Sequence, residues 1–158
     1  MRNWLIVILL SCATPMMAQD KYDWGQAAVN AAASFAIDAA VTYSLKPIIR
    51  SERPDGSDHH SFPSGHTSLA FTGASVLFKE TRHLSPWIGI AGYAAATGIA
   101  IERVHNRHHH WADVLAGAGI GILSTEAGYW LASKITKKKK QKYGVAFCGN
   151  TVSLLVAL

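Results

Sequence analysis

The chain has 158 residues, 49% hydrophobic and 16% charged, with a formal net charge of +5 at pH 7, so one domain fits and two do not. A mean hydropathy of +0.13 with so few charges excludes a disordered segment, which could not bury enough apolar surface to offset its ordering entropy. Two cysteines, Cys12 and Cys148, exclude a disulfide scaffold, and the basic balance suits an anionic partner: a phosphorylated substrate, an acidic lipid headgroup or a nucleic acid.

Residues 1–18 read as a secretory leader. Arg2 is its positive start, 4–10 its apolar run, and Pro15 breaks that run ahead of a cut after Ala18. Leu9-Leu10-Ser11-Cys12 also has the form of a lipoprotein box, so cleavage before Gln19 and acylation at Cys12 both stay open. Helical character follows at 26–45, rich in alanine; at 64–79, opening after Pro63; at 86–101, uncharged; and at 111–134, with Asp113 and Glu126. The expected fold class is all-α, a helical bundle over 19–136. Five lysines within 137–142 read as a linker to a hydrophobic tail ending at 158. There Gly149-Asn150, between 143–148 and 151–158, leaves room for a short C-terminal β-hairpin.

The chemistry clusters at the helix ends. Lys46 and Arg53-Pro54 follow the close of the first helix, Pro63-Ser64-Gly65-His66 opens the second, and Arg103, His109 and Asp113 lie between the third and fourth. If consecutive helices run antiparallel through short loops, all of these share one rim. Lys46, Arg53 and Arg103 then face the roughly −1.5 to −2 charge of a phosphate monoester, with guanidinium forks suited to its oxygens. The helix N-terminus at Ser64-Gly65 adds free N–H groups, and Gly65 admits close backbone approach. His109 and Asp113, four residues apart, would share a helix face, the carboxylate holding one ring N–H while the other nitrogen attacks phosphorus. His66 could protonate the departing oxygen.

Lys46-x6-Arg53-Pro54, Pro63-Ser64-Gly65-His66 and Arg103-x5-His109-x3-Asp113 together resemble the three-part signature of the type 2 phosphatidic acid phosphatase (PAP2) superfamily. That superfamily also holds bacterial class A acid phosphatases and vanadium haloperoxidases. The resemblance covers about 25–133. It implies that His109 is a phosphohistidine nucleophile, Asp113 its partner and His66 the acid. Lys46, Arg53, Ser64, Gly65 and Arg103 would be the phosphate ligands, with no metal and no cofactor. The family usually has serine before the arginine of the third motif, where this chain has Glu102. Its carboxylate is expected to face outward or to steady Arg50 or Arg107.

The expected activity is hydrolysis of a phosphate monoester, on a phosphorylated lipid or a small organophosphate, with no nucleic-acid partner. A vanadate-dependent haloperoxidase is one alternative. A histidine-rich metal-binding protein, using His59, His60, His105 and His108 to His110, is another. Asp38 is expected at the surface or in a salt bridge, and Trp111 and the other aromatics in packing. Residues 84–101 give 18 uncharged positions, just the length of a membrane-crossing helix. A leader-set orientation, however, would leave the lysine-rich ends outside, against the positive-inside tendency. The expectation is an exported, periplasmic or cell-envelope bundle, soluble or peripheral, with an integral membrane protein as the alternative.

Overall fold

A computed structural model of the chain describes residues 22–140, 144–148 and 151–155. The leader, Cys12 and the last three residues of the tail lie outside them. The described residues hold four helices: α1 (Trp24–Ile48), α2 (Gly65–Thr81), α3 (Pro86–His105) and α4 (Trp111–Lys140). α1 starts two residues ahead of the expected span because Asp23 caps it, its Oδ1 accepting from Gln26 N at 3.0 Å. Pro86 opens α3 at a position where its missing N–H costs nothing. Past α3, Arg107 takes a left-handed φ of 58°, and the amides of His108 and His109 both return to the Arg103 carbonyl. The lysines read as a linker begin inside a helix, since α4 continues to Lys140. Beyond it β1 (Gly144–Cys148) pairs antiparallel with β2 (Thr151–Leu155), Cys148 opposite Thr151.

α4 packs on α1 and α2, and α3 packs on α2. The pairings fix direction. Asp38 and Thr42 of α1 meet Ser68 of α2, while Phe35 of α1 approaches Gly73, so α1 and α2 are antiparallel. Gly117 faces Ser64 and Ser68, and Gly121 faces Ser68 and Thr72, so α2 and α4 run the same way. The expected rim therefore exists: the C-ends of α1 and α3 beside the N-ends of α2 and α4.

Burial is the reverse of what a water-soluble bundle shows. The buried apolar side chains are small, Ala74, Ala96, Ala100, Ala132 and Val114, while Ser34, Asp38, Thr42, Thr67, Ser68, Thr72 and Thr125 are buried polar ones. Asp38 is thus neither surface nor salt-bridged. It accepts from the Ser68 hydroxyl, which also meets Thr42 Oγ1 at 3.0 Å. Other buried hydroxyls turn to carbonyls, Thr72 and Thr125 to Gly121 O at 3.3 and 2.9 Å, while Asp38 Oδ2 is buried with no hydrogen-bond partner among the described residues. The large side chains lie outside: Trp24 is 78% exposed, Trp87 73%, Leu123 70% and Trp111 58%. The expectation that the aromatics pack inside fails for these tryptophans. No helix of the described residues is long and apolar enough to cross a membrane.

Small residues on α4 let the helices approach at backbone distance. A Cβ at Gly117 would stand 2.6 Å from the Ser64 carbonyl oxygen and 3.2 Å from Ser68 N, both backbone atoms, whereas a Cβ at Gly119 would meet nothing within 4 Å. Gly117→Ala is expected to lower stability by about 1–3 kcal/mol through overpacking, and Gly119→Ala to raise it by up to about 1 kcal/mol through helix propensity. Thermal midpoints of the two variants beside the wild type check the opposite signs.

Candidate active site

At the rim a cavity of about 320 Å³ is lined by Lys46, Arg53, Gly65, His66, Arg103 and His109, together with Tyr43, Leu69 and His108. Six of the eight residues singled out from the sequence thus share one pocket. The other two, Ser64 and Asp113, lie behind it and are fully buried.

Lys46 and Arg53 are positioned through the loop of residues 49–64, and Arg103 stands near the end of α3. Lys46 Nζ donates to the carbonyls of His60 and Pro63 at 3.0 and 3.1 Å, which ties the end of α1 to the start of α2. Burial first, then the Arg53 charge, holds its ammonium below the usual lysine range. Arg53 Nε donates to Asp58 Oδ1 at 2.8 Å, and its NH1 reaches the His108 carbonyl at 3.4 Å. Asp58 also accepts from His60 N at 2.8 Å. That backbone bond first, and Arg53 second, keep its carboxyl below the ordinary range. Arg103 Nε lies 3.0 Å from Glu102 Oε2 yet has no aligned hydrogen-bond partner, so Glu102 balances its charge without fixing its fork. Glu102 also accepts from Asn106 Nδ2 at 2.5 Å. Its side chain faces outward, as one of the two expectations had it, and the arginine it stands beside is Arg103 rather than Arg50 or Arg107.

His109 and Asp113 do not share a helix face. α4 begins at Trp111, so His109 stands in the preceding bend, and its Nδ1 is 3.7 Å from Asp113 Oδ2, beyond hydrogen-bond reach. Ser61 bridges them. Its hydroxyl donates to Asp113 Oδ2 at 2.5 Å and lies 3.4 Å from His109 Nδ1. Asp113 Oδ2 also accepts from His110 N at 2.8 Å, which closes the turn into α4. Ser61 went unread in the sequence because no spacing rule marks it; its one signal is a hydroxyl residue three positions before Ser64. Ser64 itself turns its hydroxyl to Thr67 Oγ1 at 3.0 Å, and its amide donates to the Asp113 carbonyl at 3.0 Å. The second and third motifs are thereby joined through the backbone. His108 to His110 diverge, His108 toward Asp55, His109 toward Ser61 and His110 toward Asp113. Among the described residues no three His, Cys, Asp or Glu side chains converge as metal ligands do.

His66 and His109 sit below their ordinary value. Burial is the main cause for each; Arg103, Arg53 and Lys46 add to it at His66, and Arg53 and Lys46 at His109, against the opposing pull of Glu102 and Asp113. At these two positions the neutral imidazole is favoured beside the cations of Lys46, Arg53 and Arg103, a site short of negative charge. Ser61→Ala removes a hydrogen bond to a carboxylate, worth about 1.5–3 kcal/mol. It should slow any turnover that uses His109 by roughly 10- to 100-fold, with KM changed far less; steady-state kinetics on this variant check that split.

A sequence profile of the PAP2 superfamily matches residues 27–137. The chain is 39% identical over 112 residues to a lipid A 1-phosphatase of Porphyromonas gingivalis, covering 71% of this chain and 25% of that protein. It is 41% identical over 76 residues to lipid phosphate phosphatase 1 of Arabidopsis thaliana, covering 41% and 23%. The chain thus spans about a quarter of the length of these two relatives. Among solved structures, that of LpxE from Aquifex aeolicus superposes with a TM-score of 0.56 at 24% identity, over 79% of this chain and 74% of that one, which shows a shared fold.

Proposed function

The chain belongs to the PAP2 superfamily, and on that premise we propose that it is a phosphatase cleaving the phosphate monoester of a phosphorylated lipid through a phosphohistidine intermediate. The observation that carries this is the single pocket in which Lys46, Arg53 and Arg103 surround His66 and His109. Three cations meet a phosphate dianion there, and the charge that develops on the equatorial oxygens of phosphoryl transfer falls among donors already in place. With Nδ1 turned to Ser61, His109 presents its other ring nitrogen to phosphorus. The N–P bond forms as the P–O bond to the alcohol breaks, and protonated His66 gives its proton to the departing oxygen. His66 then takes a proton from water, whose oxygen attacks the phosphohistidine. Phosphate leaves and His109 is restored. Asp113, through Ser61, balances the positive charge that the ring acquires. Lipid is favoured over small organophosphates because the chain is similar to relatives named for lipid A and for lipid phosphate.

Many large apolar side chains, tryptophans and leucines among them, are exposed on the bundle, more than a chain surrounded by water on all sides ordinarily leaves out. They favour a membrane-bound protein, with lipid against these side chains, over a soluble one. Membranes washed with alkaline carbonate should retain the protein, and detergent should release it. Recovery in the carbonate wash would overturn the membrane assignment.

His109→Ala should abolish phosphate release and an acid-labile labelled phosphoenzyme while the thermal midpoint holds. Turnover comparable to wild type would remove His109 from the mechanism. Vanadate should inhibit; activation by vanadate with halide and peroxide would establish the haloperoxidase instead.

The pH profile follows from the two lowered histidines. His109 must be neutral, so kcat/KM rises as pH climbs through its depressed pKa. His66 must be protonated, so kcat/KM falls as pH passes its own depressed value. Both limbs lie below the ordinary histidine value of about 6.5, which puts the optimum on the acid side. Bound phosphate dianion raises His66, so the basic limb of kcat should sit at higher pH than that of kcat/KM. Initial rates across pH 4 to 9, at saturating and limiting substrate, check both shifts.

A further inference from the structure

The cationic pocket is not closed. His66, Leu69 and Arg103 line it and also line a second hollow of about 670 Å³, completed by Ala70 of α2 and by Ala95, Gly98, Ile99 and Glu102 of α3. We propose that this groove between α2 and α3 receives the hydrocarbon chain of the substrate while its phosphate sits among Lys46, Arg53 and Arg103. The proposal rests on the phosphatase reading given above.

Continuity is the first argument. From Arg103 the α3 wall descends through Ile99 to Ala95, two turns and about 12 Å at 1.5 Å per residue. A chain leaving the phosphate oxygen therefore reaches this wall past the shared residues His66, Leu69 and Arg103. Charge distribution is the second. His66, Arg103 and Glu102 gather at the rim end, and the remaining lining is Leu, Ile, Ala and Gly, so the hollow grades from ionic to apolar as a lipid phosphate does. Shape is the third. A Cβ at Gly98 would meet nothing within 4 Å, so the groove is open there, and Leu69 and Ile99 are exposed on its edges at 41% and 40%. A chain could enter sideways from a lipid phase without first leaving it. Glu102 lines the rim end of the groove beside Arg103, where its charge disfavours a second anionic group and is indifferent to methylenes.

The test uses the full chain and two soluble probes, ethyl phosphate and dodecyl phosphate, the latter below its micelle concentration. Wild type should favour dodecyl phosphate by at least tenfold in kcat/KM. Gly98→Leu, which fills the groove from an unobstructed position, should cut that preference at least tenfold. Ala95→Phe should do the same from one turn lower. Gly119→Leu, equally free of neighbours within 4 Å but on α4, should keep the wild-type ratio. Turnover of ethyl phosphate by each variant reports that its phosphate site is folded. The proposal is overturned if wild type shows no chain preference, if the preference survives in both groove variants, or if Gly119→Leu loses it equally. A wild type that hydrolyses neither ester removes the phosphatase reading and the groove assignment with it. Turnover of both esters without chain preference removes the groove assignment alone.

Discussion

The first turn of α2 rests on the first turns of α4, and the site depends on that contact. Ser64 N donates to the Asp113 carbonyl at 3.0 Å, and Gly117 brings the α4 backbone against Ser64 O and Ser68 N, where a single methyl group would collide. Two sequence motifs about 50 residues apart are held in one frame by backbone atoms, which have far fewer ways to move than side chains. Ser61, placed by the loop that precedes this turn, then reaches Asp113 and His109 together. Positioning of the imidazole is thus inherited from helix packing rather than from the four-residue spacing of His109 and Asp113.

The same close packing explains the polar interior. Helices that approach at backbone distance have room between them for Gly, Ala, Ser and Thr and for little else. The hydroxyls so buried find carbonyls or each other, Thr72 and Thr125 on Gly121, Thr42 and Ser68 together beside Asp38. Large apolar side chains have no place inside and stand outward. Inside this bundle, hydrogen bonding and dispersion do the work that bulky apolar cores do in water-soluble bundles.

Three cations crowded on one rim would repel one another unless offset. Asp58 offsets Arg53 and Glu102 stands beside Arg103, while Lys46 is held only by two carbonyls. Partial compensation leaves a pocket that is still electron-poor, with His66 and His109 pushed toward their neutral form. A dianionic group supplies what is missing. On the proposed reaction, anion binding and acid catalysis are linked, because a dianion beside His66 favours its protonated form.

The order of helices, their polarity and the convergence of Lys46, Arg53, Gly65, His66, Arg103 and His109 were legible in the sequence. They follow from apolar run lengths, breakers and the antiparallel rule for short connections, all of which are local. Ser61 was not legible, since a lone serine in a loop has no signature until the fold sets it between His109 and Asp113. Asp38 looked like a surface acid because hydropathy records a residue's type and not the direction it faces, and only the α1–α2 crossing buries it beside Ser68. The tryptophans, too, could be assigned to inside or outside only once α4's glycines had fixed how near the helices come. A sequence carries its chemistry in local spacing; which groups touch, and which face outward, is settled by contacts between residues distant in the chain, and those exist only in the packed structure.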